Sequence, residues 1–249
     1  MEFDFLTLFL LFLAGGFAGF VDSIAGGGGI ITLPALLAAG IPPHQALATN
    51  KLQSSFGSFT AAMNYSRLGL MNPEELLLGV LFTLLGAAAG ATVVQWFPAD
   101  SLESLIIVML VIIFIYTALT PKLGLHPRPH RIPHALFYTL FGLLIGFYDG
   151  FFGPGTGSFW TMSLVLLLGL DLKAATAQTK LFNFTSNIVS LAVFLYAGLV
   201  IWSVGLAMGA GQIAGAFLGS TLVHRREVKF IRVFFLIVVA ATILKLIFF

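Results

Sequence analysis

The 249-residue chain is 59% hydrophobic and only 9% charged, with twelve Lys and Arg against ten Asp and Glu, a net charge of +2 and a mean hydropathy of +1.03. Soluble domains carry about 25% charged residues, so this composition cannot cover a water-facing surface, and it specifies an all-α polytopic membrane protein. The absence of cysteine excludes a disulfide, a thiolate metal site and a cysteine nucleophile.

Five apolar or semi-apolar segments are expected in the first part of the chain, at 3–21, 30–40, 44–68, 75–97 and 102–120. The opening "MEFD" is acidic where a secretion signal needs a basic start, so 3–21 reads as a retained first span. Segment 30–40 covers roughly 16 Å at ~1.5 Å per residue, too little for a ~30 Å hydrocarbon core. Segments one and two therefore form a broken or re-entrant pair, with the glycine run "AGGGG" inside the membrane. Pro73 and Pro98 fall at breaks between segments. A second set follows at 134–150, 157–170, 172–197, 202–223 and 230–248.

The second set repeats the first. Adding 127 to the residue number pairs Gly15 with Gly142, Asp22 with Asp149, Gly26 with Gly153 and Gly28 with Gly155. After a two-residue slip, adding 129 pairs Gly40 with Gly169, Lys51 with Lys180 and Gly69 with Gly198, and the motif "GAxxGxTxV" recurs at 86–94 and 215–223. The expected domains are an N-terminal repeat at 1–120, a basic connector at 121–133 and a C-terminal repeat at 134–249. Seven of the twelve cations lie in the connector (Lys122, Arg128, Arg131) or near the C-terminal end (Arg225, Arg226, Lys229, Arg232). Both places are expected on the cytoplasmic side. The repeat-mate of the second cluster, "WFPADSLE" at 96–103, has no cation, so equivalent loops are expected on opposite faces. The expectation is two inverted-topology repeats with about eight to ten transmembrane segments, the N-terminus outside and loop 121–133 cytoplasmic. Trp96, Trp160, Trp202 and Tyr196 are expected at the membrane interfaces.

Inverted repeats place substrate sites near the midplane, at broken helices. "AGGGGIITLP" and "GPGTGSFW" each set a glycine turn before a short helix, leaving amides and a positive helix end to face an anion. Asp22, just past the end of the first span, and Asp149 are the only acids beside the glycine runs. A charge at that depth costs about 3 kcal/mol or more and calls for a partner or a wet cavity. Either the two acids couple transport to protons, or each caps a helix end or holds a lysine. Lys51 and Lys180 lie about two turns inside their segments, followed by small polar residues that include Ser54, Asn183 and Asn187. Paired across the pseudo-twofold, they bring two ammonium groups towards one cavity suited to a small oxyanion. A lysine that near a helix start can alternatively snorkel to the interface.

"GFVDSIAGGGGIITLPALLAAGIPPHQALATNKLQSSFGS", together with "GFYDGFFGPGTGSFW" and "AQTKLFNFTSN", closely resembles the signatures of the TauE/SafE sulfite exporter family, also called TSUP permeases. The likeness is nearest the branch whose members are named probable membrane transporters. It implies a multi-pass transporter of small organosulfur or related anions such as sulfite or sulfoacetate in the bacterial cytoplasmic (inner) membrane. Carried over by motif, the site residues are Asp22, Gly26, Gly27, Gly28, Gly29, Thr49, Asn50, Lys51, Asp149, Gly153, Gly155, Gln178, Thr179, Lys180 and Asn183. Asp22 and Asp149 take coupling or gating roles, the others and Ser54 substrate binding.

No catalytic motif, cofactor fingerprint or metal cluster stands out, and no stacking aromatics flank the basic clusters, so an enzyme, a cofactor, a metal and a nucleic-acid partner are not expected. The expected partners are a small anionic substrate, protons or sodium as coupling ion, the lipid bilayer and, for so small a permease, a second copy in a homodimer. The rival readings are a passive anion channel and a cation- or sodium-coupled carrier of a neutral solute.

Overall fold

A computed structural model describes residues 3–99, 101, 102, 105, 108 and 131–225. The expected segments 102–120 (save 102, 105 and 108) and 230–248, with connector residues 121–130, lie outside the described residues. Among those described the chain is wholly helical, in eight α-helices: α1 Phe5–Ala25, α2 Gly28–Ala38, α3 Pro43–Arg67, α4 Leu77–Val93, α5 His134–Phe151, α6 Thr156–Leu167, α7 Leu172–Tyr196 and α8 Trp202–Arg225. Short 3-10 turns at Pro73–Leu76 and Val94–Trp96 extend α4 at both ends. The stretches Phe5–Ala25, Pro73–Trp96 and Trp202–Arg225 are long and apolar enough to cross a bilayer.

Local chemistry sets the helix ends. Asp4 caps α1 by accepting from Thr7 N at 3.0 Å, and these bonds hold its exposed carboxyl below the usual range. Asp171 caps α7 through Ala174 N at 2.9 Å. α1 runs four residues past the expected boundary, because the chain turns only at Gly26, whose φ of 74° a side chain would resist. Asp22 thus sits on the last turn of α1.

Two glycine seams hold the bundle. Gly15 meets the backbone of Met208, Gly19 that of Gln212, and Gly219 that of Phe20, so α1 and α8 run the same way. The mirrored seam brings Gly86 to Leu143, Gly90 to Phe147 and Gly150 to Ala87, between α4 and α5. Small residues allow this backbone-to-backbone approach, which supplies van der Waals packing where lipid offers no hydrophobic drive.

The central helices α3 and α7 are repeat-mates, and α8 reports their directions. Ile201 N at the start of α8 donates to Thr49 near the start of α3, and Asn64 near the end of α3 donates to Ser220. Lys173 at the start of α7 instead donates to the carbonyl of His224 at the end of α8. α3 therefore runs with α8 while α7 runs against both. Gly40 and Gly169 (φ 79° and 71°), and Gly69 and Gly198 (70° and 68°), turn alike.

Phe5, Leu6, Phe9 and Leu10 present an exposed apolar face on α1, as a lipid-facing surface should. Trp96, Trp202 and Tyr196 are exposed near helix ends, but Trp160 is fully buried and stacks on Phe182 at 4.4 Å. The expectation of an exposed interfacial Trp160 is thereby corrected: its indole is packed inside the protein.

Candidate functional site

The polar residues of α3 and α7 have nowhere to go but inward. Lys51, Asn50 and Gln53 of α3, and Lys180, Asn183, Ser186 and Asn187 of α7, are all buried. Beside these helices lies a cavity with about 420 Å³ of empty space, part of it open to solvent, lined also by the first turns of α2 and α6. Its lining combines Asp22, Gly27, Gly28, Gly29, Asn50, Lys51 and Ser54 from the first half with Asp149, Gly153, Gly155, Thr156, Gly157, Asn183, Asn187 and Gln212 from the second.

The charges pair between halves. Lys51 Nζ lies 2.7 Å from Asp149 Oδ1 and also donates to the Asp149 carbonyl. Lys180 Nζ lies 2.9 Å from Asp22 Oδ2. Each aspartate holds the lysine of the other half, and both ammonium groups are engaged. The two pairs differ in access: the Asp149 side chain is 4% exposed and that of Asp22 21%. Ser186 Oγ completes the sealed pair by donating to Asp149 Oδ2. Asp22 Oδ1 does something different, accepting from Gly27 N at 3.0 Å and Gly28 N at 3.1 Å, the amides that open α2.

The helix starts face each other across the halves. Gly27 and Gly155, the N-cap residues of α2 and α6, are both left-handed (φ 114° and 82°). A Cβ on Gly157 would lie 2.7 Å from the Gly26 Cα, and one on Gly29 3.1 Å from the Pro154 Cα. Ser158 Oγ donates to the Ala25 carbonyl at 3.2 Å, tying the two turns together. Only side-chain-free backbone fits here, and it lines a cavity as irregular backbone at membrane depth must.

Of the residues expected at the site, Gly26, Thr49, Gln178, Thr179 and Lys180 do not line the cavity but form its frame. Gly26 packs on Gly157, Thr49 anchors Ile201 and Gln178 accepts from Tyr138 Oη at 3.2 Å. Thr179 meets Thr161 at 3.0 Å, mirroring the bond from Thr32 to Asn50 in the first half. Lys180 stands behind Asp22. Thr156, Gly157, Asn187 and Gln212 line the cavity without having been expected to bind. Gln212 donates to Gln53 Oε1 at 2.6 Å, and Gln53 donates to Asn50 Oδ1 at 2.8 Å, so an amide chain crosses one wall. The signal for Gln212 was a lone amide in the glycine-rich span "GAGQIAGAF". Among the described residues no three His, Cys, Asp or Glu side chains converge as a metal site would require.

Comparison with known proteins agrees with this architecture. Residues 11–246 match the family model described as "Sulfite exporter TauE/SafE". The chain is 45% identical over 242 residues to "Probable membrane transporter protein ORF9" of Sinorhizobium sp, covering 97% of this chain and 93% of that one. It is 44% identical over 243 residues to "Probable membrane transporter protein YfcA" of Escherichia coli K12 (98% and 90% covered). It is also 40% identical over 232 residues to a "Probable membrane transporter protein" of Haemophilus influenzae (93% and 91%). These are the names of transporters, not of enzymes. On the strength of the full-length match, an integral membrane protein with this internal cavity belongs to the sulfite exporter TauE/SafE family of membrane transporters.

Proposed function

We propose that the protein is a secondary transporter of a small organosulfur or related organic anion, working by alternating access between two inverted repeats, 1–120 and 134–249, joined by the connector 121–133. The observation that carries this reading is the meeting of two helix N-termini, one from each half, in a cavity flanked by cross-half ion pairs. Helix starts offer amide donors and positive potential to an oxyanion without a cofactor. The lining hydroxyl and amide groups of Ser54, Thr156, Asn183, Asn187 and Gln212 can hydrogen-bond its remaining oxygens. The family's description as sulfite exporters supports a sulfur oxyanion among the candidates.

The opposed directions of α3 and α7 support inversion. Arg67 ends α3, Lys173 begins α7, Arg225 ends α8, and Arg131 N bonds the Leu167 carbonyl at the end of α6. These four cations share one end of the bundle. Cytoplasmic loops carry the excess of Lys and Arg, so that end faces the bacterial cytoplasm and the start of α1 faces outside.

Asp22, Lys51, Asp149 and Lys180 cancel in charge, and this observation favours a second reading, carriage of a neutral or zwitterionic solute. Asn183→Asp separates the two. The isosteric carboxylate, on α7 beside the start of α6, should weaken sulfoacetate binding by about tenfold or more, the consequence of roughly 1.4 kcal/mol of repulsion. Undiminished anion binding by the folded variant, measured by calorimetry in detergent, would rule out an anion seat at this place.

A further inference from the structure

The two helix starts that meet in the cavity are not equivalent. At α2 the first amides are already occupied, because Asp22 Oδ1 accepts from both Gly27 N and Gly28 N while its Oδ2 takes Lys180 Nζ. At α6 no side chain among the described residues reaches the first-turn amides, since Asp149 turns instead to Lys51 and Ser186; Thr156 N and Ser158 N bond the Gly153 and Gly155 carbonyls, which leaves Gly157 N to face a ligand. The chain itself accounts for this. Asp149 lies six residues before the N-cap Gly155 (155 − 149), whereas Asp22 lies five before Gly27 (27 − 22). One extra residue in the second turn carries its carboxylate out of reach of the amides.

A second observation marks the α6 start as a seat. Asn183 is 6% exposed and lines the cavity, yet its Oδ1 has no hydrogen-bond partner among the described residues. A Cβ on Gly157 would lie 3.1 Å from the Asn183 amide nitrogen and 3.4 Å from Lys180 Nζ. A buried side-chain amide without its full set of partners is costly, and an oxyanion at this place would engage it, with the amide rotated to present its N–H groups.

We propose that Asp22 is a tethered competitor for the anion site, so that each anion admitted binds together with one proton taken up by Asp22. This rests on the anion-transport reading and names its coupling ion. The site as it stands is neutral: two carboxylates face two ammonium groups. An anion alone adds an uncompensated charge at membrane depth, which is expensive. A proton from water converts the Asp22 carboxylate to a neutral acid, weakens its hold on Lys180 and on the α2 amides, and leaves one net positive charge for the anion. No bond other than the O–H of the acid forms, and the one positive charge neutralises a monovalent anion and offsets half the charge of a divalent one such as sulfoacetate.

The groups facing Asp22 are consistent with this role. Lys180 comes from α7. On α3 are Lys51, paired elsewhere, and Tyr65, whose hydroxyl donates to the Ser23 carbonyl. Asp149 of α5 lies across the cavity, α2 and α6 present backbone amides, and α8 presents the neutral Gln212. Its 21% exposure makes Asp22 the carboxylate that water reaches.

The test is the pH dependence of sulfoacetate binding to the intact protein in detergent or nanodiscs, a probe whose acid groups stay ionised above about pH 6. In the wild type, affinity should fall by about tenfold per pH unit wherever Asp22 is ionised, the slope of one linked proton. In Asp22→Asn, binding should be independent of pH and as tight as the low-pH limit of the wild type, and a pH gradient should no longer drive accumulation into liposomes. Wild-type binding with no pH slope overturns the proposal alone and leaves anion transport standing, even if the variant fails to fold. Loss of binding in a folded Asp22→Asn protein also overturns it, since the carboxylate would then be a structural brace. No sulfoacetate or sulfite binding by the wild type at any pH removes the anion reading and this inference with it.

Discussion

Lys51 of the first half and Asp149 of the second lie 2.7 Å apart with almost no exposure, so each half of the chain supplies a charge that the other neutralises. Their mates close the second link, Lys180 to Asp22 at 2.9 Å. Removing one partner of such a buried pair strands the other charge, which costs about 3–5 kcal/mol. Lys51→Met should therefore lower the thermal midpoint sharply. Lys51→Met combined with Asp149→Leu should recover much of the loss by removing both charges, although transport is not expected to return. A single variant as stable as the wild type would show that the pair carries no structural weight.

Gly157→Ala should be more damaging than an alanine elsewhere on α6. Its methyl group would stand 2.7 Å from the Gly26 Cα and close to both Asn183 and Lys180, where the two broken turns touch. Backbone cannot yield as a flexible side chain can. The expected outcome is a folded or weakened protein with no measurable uptake in proteoliposomes, and wild-type uptake would show that the turns separate easily.

Gln212→Leu removes the donor to Gln53 Oε1 and leaves that buried oxygen unpaired beside the cavity. A loss of about 1–3 kcal/mol of stability is expected from the stranded group. Anion affinity should fall as well, because the wall residues Gln53 and Asn50 are held in place through Gln212. Calorimetry on the variant checks both, and unchanged affinity would assign the amide chain to packing alone.

The fold was largely legible because its grammar is one of length and punctuation. Apolar runs bounded by Gly40, Gly69, Gly169 and Gly198 fall within a few residues of α2, α3, α6 and α7. The acids, lysines and glycines of the site were legible as charges that lipid cannot tolerate. Their partners were not: nothing in one sequence tells whether Lys51 reaches Asp22 or Asp149, since both are at plausible distance along the repeat. Gly157 escaped because the repeat register slips there, pairing Gly28 with Gly155 under one offset and with Gly157 under the other. Gln212 escaped because its mate is Thr83, a different chemistry at the same place. Trp160 misled because an indole on a short helix reads the same whether it faces the interface or packs inside the protein.

The opposed orientation of the halves is the claim on which the shared cavity depends, and Arg67 and Tyr196 test it directly. They are repeat-mates under the 129 offset (67 + 129 = 196), both are exposed, and they end α3 and α7 respectively. The chain has no cysteine, so Arg67→Cys and Tyr196→Cys each introduce a single label site. In intact cells, a membrane-impermeant maleimide should modify the cysteine at 196 at once and the one at 67 only after permeabilisation. Modification of both from the same side would contradict inverted repeats and the alternating-access account built on them.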